Sequence, residues 1–143
     1  MPSVECVAGN PQVVQARESG GSGYKAGDLV QFNTTGYVVV GTTGDFCAIA
    51  KKDEGAVANV ECEIELLSTD NLYSIKGVAG TAIAQTDVGD GFVITFTSGG
   101  HYATVGTDTE GAIVALLDPI GTSGGRYVVK FFDSVIKTGL IGA

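Results

Sequence analysis

The side chains able to do chemistry are few and scattered. Three cysteines, Cys6, Cys47 and Cys62, and a single histidine, His101, make up the inventory of soft nucleophiles and near-neutral bases. A cysteine nucleophile needs a base beside it. His101 is the only imidazole available, and its neighbours Gly99-Gly100 predict an exposed turn. No Cys-x-x-Cys pair or zinc-ligand spacing occurs, and an odd cysteine count argues against a disulfide framework. Cys47 and Cys62 fall on the apolar phases of strand-like runs, where a thiol serves as a small hydrophobe.

Carboxylates come closer to forming a pattern. In Val60-Glu61-Cys62-Glu63-Ile64-Glu65-Leu66 the alternation places Val60, Cys62, Ile64 and Leu66 in a core and three glutamates on the opposite face. Such a row reads as a solvated face that discourages edge-to-edge association. The pairs Asp87/Asp90 and Asp108/Glu110 lack the glycine-and-glutamate geometry of a calcium loop. Asp28 and Asp90 read instead as caps of their own turns. The glycine clusters Gly41–Gly44, Gly77–Gly80 and Gly121–Gly125 lack the lysine and following helix of a phosphate loop, and read as hairpin turns. Asn33-Thr34-Thr35 matches a glycosylation acceptor that would matter only in a secreted chain. The residues predict no catalytic site, no metal and no cofactor.

The elements that would position these groups are short and occur twice. Ala26-Gly27-Asp28 opens a series running through Gln31-Phe32, Tyr37–Val40 and Phe46–Ala50 to the alternating strand Val60–Leu66. Val88-Gly89-Asp90 opens a second, through Phe92–Phe96, Tyr102–Val105 and Gly111–Ala115 to Arg126–Phe132. In its last strand Tyr127, Val129 and Phe131 share one face, with Arg126, Val128 and Lys130 on the other. The expectation is an all-β protein: a small barrel or sandwich of two pseudo-repeated lobes, residues 24–67 and 86–133, in a body spanning 24–143. Twenty-two glycines among 143 residues punctuate strand-sized apolar runs. Helical periodicity is nearly absent.

Composition removes several partners. A net charge of -8, with eight basic residues dispersed along the chain, provides no cationic footprint for nucleic acid or an anionic membrane. No apolar run approaches the ~20 residues that span a bilayer. Met1–Glu5 lacks the basic and apolar regions of a signal peptide, so synthesis in the cytoplasm is expected.

Residues 1–23 differ from the rest. Val4 to Val14 is mildly apolar and broken by Gly9, Asn10 and Pro11, and Gly20-Gly21-Ser22-Gly23 has the composition of a hinge. The segment predicts an extended N-terminal arm, with Val4, Val7, Val13, Val14 and Arg17 as partner-binding residues.

Several stretches together carry a family resemblance. They are Ala26-Gly27-Asp28-Leu29-Val30, Cys47-Ala48-Ile49-Ala50-Lys51-Lys52-Asp53, Ala82 to Asp90, Gly111 to Leu116, and Val128-Val129-Lys130-Phe131. With the preceding apolar arm, this order resembles the small capsid cement, or head decoration, proteins of tailed bacteriophages. It covers nearly the whole chain, through turn-and-strand signatures rather than chemical fingerprints. The resemblance implies a non-enzymatic β-rich subunit that binds the major capsid protein on the outside of the shell and stabilises it. It also implies homotrimers at local threefold positions, an arm reaching to the capsid protein or a neighbouring subunit, and residence on the virion exterior after synthesis in the host cytoplasm. The alternative is a small β-barrel enzyme or sugar-binding domain of the double-psi type, where similar openings recur. That reading requires a polar pocket with perturbed acids. A secreted adhesin or pilin-like module would need a signal sequence.

Overall fold

The computed structural model describes residues 3–20, 23–41, 46–54, 57–97, 100–106 and 110–132. Over these residues the structure is all-β apart from one 3-10 turn at Gln85–Asp87. Its strands are β1 (Val4–Ala8), β2 (Gln12–Arg17), β3 (Leu29–Phe32), β4 (Val38–Val40), β5 (Ala48–Ala50) and β6 (Glu61–Leu66), followed by β7 (Leu72–Gly77), β8 (Gly91–Thr97), β9 (Gly100–Val105), β10 (Gly111–Leu116) and β11 (Arg126–Phe131).

Two sheets of the same plan result. One runs β2-β6-β5-β3-β4; the other runs β7-β11-β10-β8-β9 with β1 added outside β7. In each, the first strand returns to the third in parallel. β7 meets β9 at Lys76↔Tyr102 and Gly77↔Ala103, closing a five-stranded barrel. The end of β2 meets β4 through the parallel bridge Glu18↔Val38, with the Ser19 N–H donating to Val38 C=O. Numbered within its lobe, the strand order is first-fifth-fourth-second-third in both.

The equivalence extends to single hydrogen bonds. Gly27 N–H donates to Ala50 C=O and Ala50 N–H to Asp28 C=O; Gly89 N–H donates to Ile113 C=O and Ile113 N–H to Asp90 C=O. Gly27 and Gly89 have φ of 94° and 93°, a left-handed conformation that glycine adopts without Cβ strain. The registers agree as well: Val30↔Val40 corresponds to Phe92↔Val105, and Ala50↔Ile64 to Ile113↔Val129.

The extent of the two units differs from the sequence expectation. Each lobe begins one strand earlier than residues 24 and 86, with β2 and β7, and residue 133 lies outside the described residues. Residues 4–17 do not extend away from the body. β2 pairs with β6 along its whole length, Gln12↔Leu66 through Arg17↔Glu61, while β1 pairs with β7, Val4↔Ile75 through Ala8↔Leu72. Pairing with the chain's own strands satisfies backbone groups that a free arm leaves to solvent. The corner between β1 and β2 is pinned, since Asn10 N–H donates to Asn71 Oδ1, and Ser68 N–H and Asn71 Nδ2 both donate to the Tyr73 hydroxyl. Of the expected hinge, residues 21 and 22 lie outside the described residues.

The two lobes share a core. Leu29, Phe46, Ile49 and Leu67 of the first pack with Tyr73, Ile75, Phe92, Phe131 and their neighbours of the second, while Val30, Val38, Cys62 and Ile64 fill the first barrel. His101 sits at the junction. It lies on β9, fully buried, rather than in an exposed turn as its glycine neighbours predicted. Leu29 N–H donates to its Nδ1 at 3.2 Å. That assigns the ring proton to Nε2, which faces Gly41 C=O at 2.6 Å. Phe46 and Phe96 flank the ring, with centroids at 5.8 and 4.7 Å. A second-lobe side chain thus satisfies two backbone groups of the first.

Other expectations need correction. Val60 precedes β6 and is 39% exposed, so it is not core. Of the glutamate row only Glu61 and Glu63 keep solvent contact; Glu65 is buried and accepts from Lys51 Nζ at 3.2 Å. The opposite face of this sheet is therefore covered towards the β6 end rather than solvated throughout.

Three outcomes follow from this packing. His101→Leu keeps the volume and strands Leu29 N–H and Gly41 C=O, so the urea unfolding free energy should fall by about 2–4 kcal/mol; a change near zero would show the junction is not held by this ring. Deleting residues 1–16 removes two paired strands, so circular dichroism should lose the cooperative thermal transition of the full chain; an unchanged melt would make those pairings dispensable. Burial pushes the Cys47 thiol up to about 12 and raises Cys62 as well. A thiol reagent at pH 8 should therefore modify no more than one cysteine of the native protein, half-buried Cys6, and all three after denaturation.

Candidate interaction surface

Among the described residues, most charged side chains are engaged in ion pairs or turns. The glutamates of β6 pair with cations from flanking segments: Arg17–Glu61 at 3.4 Å, Lys52–Glu63 at 2.9 Å and Lys51–Glu65 at 3.2 Å. Glu63 raises the Lys52 amine in turn by accepting its hydrogen bond. Asp118 is held below the usual carboxylate range by hydrogen bonds from the Arg126 guanidinium and backbone N–H. Asp28 caps its own turn, accepting from Lys25 N–H at 3.0 Å. In the second lobe that job falls to Asp87 rather than Asp90: Asp87 Oδ2 accepts from Ala84 N–H and the Tyr127 hydroxyl. Asn33 folds its amide oxygen onto Thr35 and Tyr37 N–H, an Asx turn in the acceptor-like tripeptide. Asp108 lies outside the described residues.

One polar group inside the first barrel is less conventional. Glu18 is buried at the end of β2, with Gly20 N–H donating to its Oε1 at 3.0 Å. The Tyr24 hydroxyl faces Glu18 and Cys62 without hydrogen-bond geometry to either, and burial together with these neighbours pushes its titration far up. A tyrosine and a cysteine both held protonated supply no nucleophile at neutral pH. No group of three or more metal-ligating side chains converges among the described residues. A depression of about 370 Å³ beside Tyr24, Lys25, Asp53, Glu54 and Phe96 has as its deepest acid Asp28, already committed to its turn.

What the surface does present is apolar strand edge. Of the five residues expected to meet a partner, Val4 is 1% exposed, inserted in the shared core through β1, and is unavailable. Val7, Val13 and Val14 are exposed, Val13 to 48%. Arg17 is half-exposed but engaged, donating to Asn59 C=O at 2.9 Å and pairing with Glu61. Val13 and Val14 are neighbours whose side chains point to opposite faces and both are exposed, while Ala16 packs against the first-barrel core; among the described residues β2 pairs only with β6 along Gln12–Arg17. A pocket of about 390 Å³ opens at the start of β2, between Asn10, Gln12, Leu66, Ser68, Asp70 and Asn71. Val57, Val114, Leu117, Ile120 and Phe132 are also exposed and were not singled out from sequence. The available signal was isolation: Ile120 is a lone large apolar residue between Pro119 and Gly121, and Val114 lies where β10 bulges between Ile113 and Ala115.

The sequence matches no family model and no curated protein. Its fold, however, is similar to a solved one. The crystal structure of the head fiber gp8.5 N base of bacteriophage phi29 superposes with a TM-score of 0.52 over 90% of this chain and 99% of that one, at 16% identity. At that identity the likeness is one of fold, and it spans both lobes: this chain shares the architecture of a bacteriophage head fiber base.

Proposed function

We propose that this chain is a non-enzymatic structural protein of a bacteriophage virion. It binds the outer surface of the capsid as a cement or decoration protein, stabilises the shell, and is made in the host cytoplasm before assembly. The observation that carries this reading is the whole-chain similarity of fold to a phage head fiber base. Two further features support it. The ordered turn-and-strand signatures resemble those of cement proteins, and the β6 glutamates, Asp28 and Asp87 are engaged in ion pairs and turns. The partner is the major capsid protein, and the assembly is a homotrimer. A single small footprint must overcome the full entropic cost of docking, whereas three linked copies raise one another's effective concentration on the shell.

The test uses purified full-length protein and empty shells assembled from the major capsid protein of the virus that encodes it. The protein should co-sediment with shells to saturation and raise their melting temperature, and reconstruction of decorated shells should show density in groups of three. Absence of saturable binding would refute the capsid role; isolated single copies on the shell would refute the trimer.

A further inference from the structure

The duplicated lobes differ in one respect that bears on binding. In the second lobe the edge of β7 facing β9 is fully used. Its last residues, Lys76 and Gly77, take β9, and the stretch before them takes β1, with Val4↔Ile75, Glu5↔Ser74 and Cys6↔Tyr73. In the first lobe, among the described residues, the corresponding edge of β2 takes β4 at Glu18↔Val38 alone. Aligning Gly77↔Ala103 with Glu18↔Val38 places Ile75 on Ala16, Tyr73 on Val14 and Leu72 on Val13. The β11 and β6 registers give the same alignment, Arg126↔Lys76 corresponding to Glu61↔Arg17. The open edge at Val13–Ala16 is therefore the slot that β1 fills in the other lobe.

The backbone there is ready for a strand. Glu18 N–H donates to Val60 C=O on the β6 side, and Ser19 N–H to Val38 C=O on the β4 side. Antiparallel alternation then directs the N–H and C=O groups of Val13, Gln15 and Arg17 to the open edge. No residue from Gln12 to Ala16 carries charge, although edges left to solvent are commonly guarded by charge. The filled slot also shows what the occupant looks like. β1 places Val4 and Cys6 opposite the inward-facing Ile75 and Tyr73, and its valine becomes core.

The geometry points to β2 as a strand-addition site that accepts, antiparallel, an extended segment of a capsid subunit. This rests on the capsid-binding reading above and names the surface that performs it. The segment carries small apolar residues opposite Ala16 and Val14 and a polar one opposite Gln15. A pocket lies at the start of β2 beside Gln12, and its Asp70 is in no ion pair among the described residues; a lysine or arginine at the end of the incoming segment would complement that carboxylate. The chain's own β1 is already engaged in the second lobe, and on the capsid-binding reading the strand is supplied by a capsid subunit.

Two variants test the site in the shell co-sedimentation assay. Gln15→Pro removes a donor aimed at the open edge and none used by β6, and edge strands tolerate proline. Val14→Asp places a charge where the incoming apolar residue would sit. Each variant's fold is checked by its thermal transition, and Val14→Asp, at an exposed position, remains the test if the proline variant does not fold. Folded variants should bind shells about tenfold more weakly or worse. If the wild type binds and the folded variants bind equally, the strand-addition site is overturned while the capsid role stands. If the wild type does not bind, the capsid role itself fails and this occupant with it. If the variants change the oligomeric state in light scattering but not shell binding, the slot belongs to a second copy and the inference is overturned.

Discussion

Each lobe is closed by a parallel contact between its first and third strands that extends over only one or two residue pairs, Glu18↔Val38 and Lys76↔Tyr102 with Gly77↔Ala103. Parallel pairing needs a long crossover, which β3 supplies in the first lobe and the segment through β8 in the second. Because the contact falls at the very end of the first strand, most of that strand's edge remains outside the closed barrel. The rest of the architecture depends on how that edge is managed. In the second lobe β1 covers it and brings Val4 into the shared core. Since β1 precedes the first lobe in sequence but completes the second, the two lobes are joined by a strand exchange as well as by side-chain packing. The His101 contacts with Leu29 and Gly41 add a polar tie at the same junction.

Legibility in the sequence followed how one-sided each element's environment is. The Gly27-Asp28 and Gly89-Asp90 turns were readable because a left-handed glycine followed by an aspartate recurs in both, although only Asp28 caps its own turn. Ala48–Ala50 and Gly111–Leu116 were readable as unbroken apolar runs. The first strand of each lobe was not. β2 is exposed on both faces and β7 is nearly buried on both, so neither shows the alternation that marks a half-buried strand. His101 was misplaced because two preceding glycines suggest a turn, whereas β9 begins at Gly100 itself. Of the valines expected to meet a partner, Val4 is core while Val7, Val13 and Val14 are exposed. Which of them would be core depended on β1 crossing to the other lobe, a long-range pairing that no local pattern encodes.

Among the described residues, much of the charge is held in ion pairs. The β6 carboxylates meet Arg17, Lys51 and Lys52, and Asp118 meets Arg126. Surface pairs of this kind contribute little to stability individually. Their consequence is geometric, since on β2 the cation nearest the open edge, Arg17, is drawn towards Glu61 and Asn59. The uncharged run Gln12–Ala16 is what remains at that edge.

A strand of four or five residues added to one edge is a weak ligand by itself. Its main-chain hydrogen bonds replace bonds to water at a modest net gain of ~0.5–1.5 kcal/mol each. Ordering a flexible donor segment costs roughly 1–2 kcal/mol per residue. The two nearly cancel, and the surplus must come from apolar side chains entering the space beside Val14 and Ala16, as Val4 does in the second lobe. Such a balance suits repeated, simultaneous attachment better than a single tight contact. On the trimeric reading, three slots presented together convert the second and third additions into intramolecular events, whose effective concentration offsets the weakness of each. On the proposed reading, a duplicated fold that completes one lobe with its own strand and leaves the other open would attach firmly without any site that is strong alone, the shell supplying the missing strand at matching spacing.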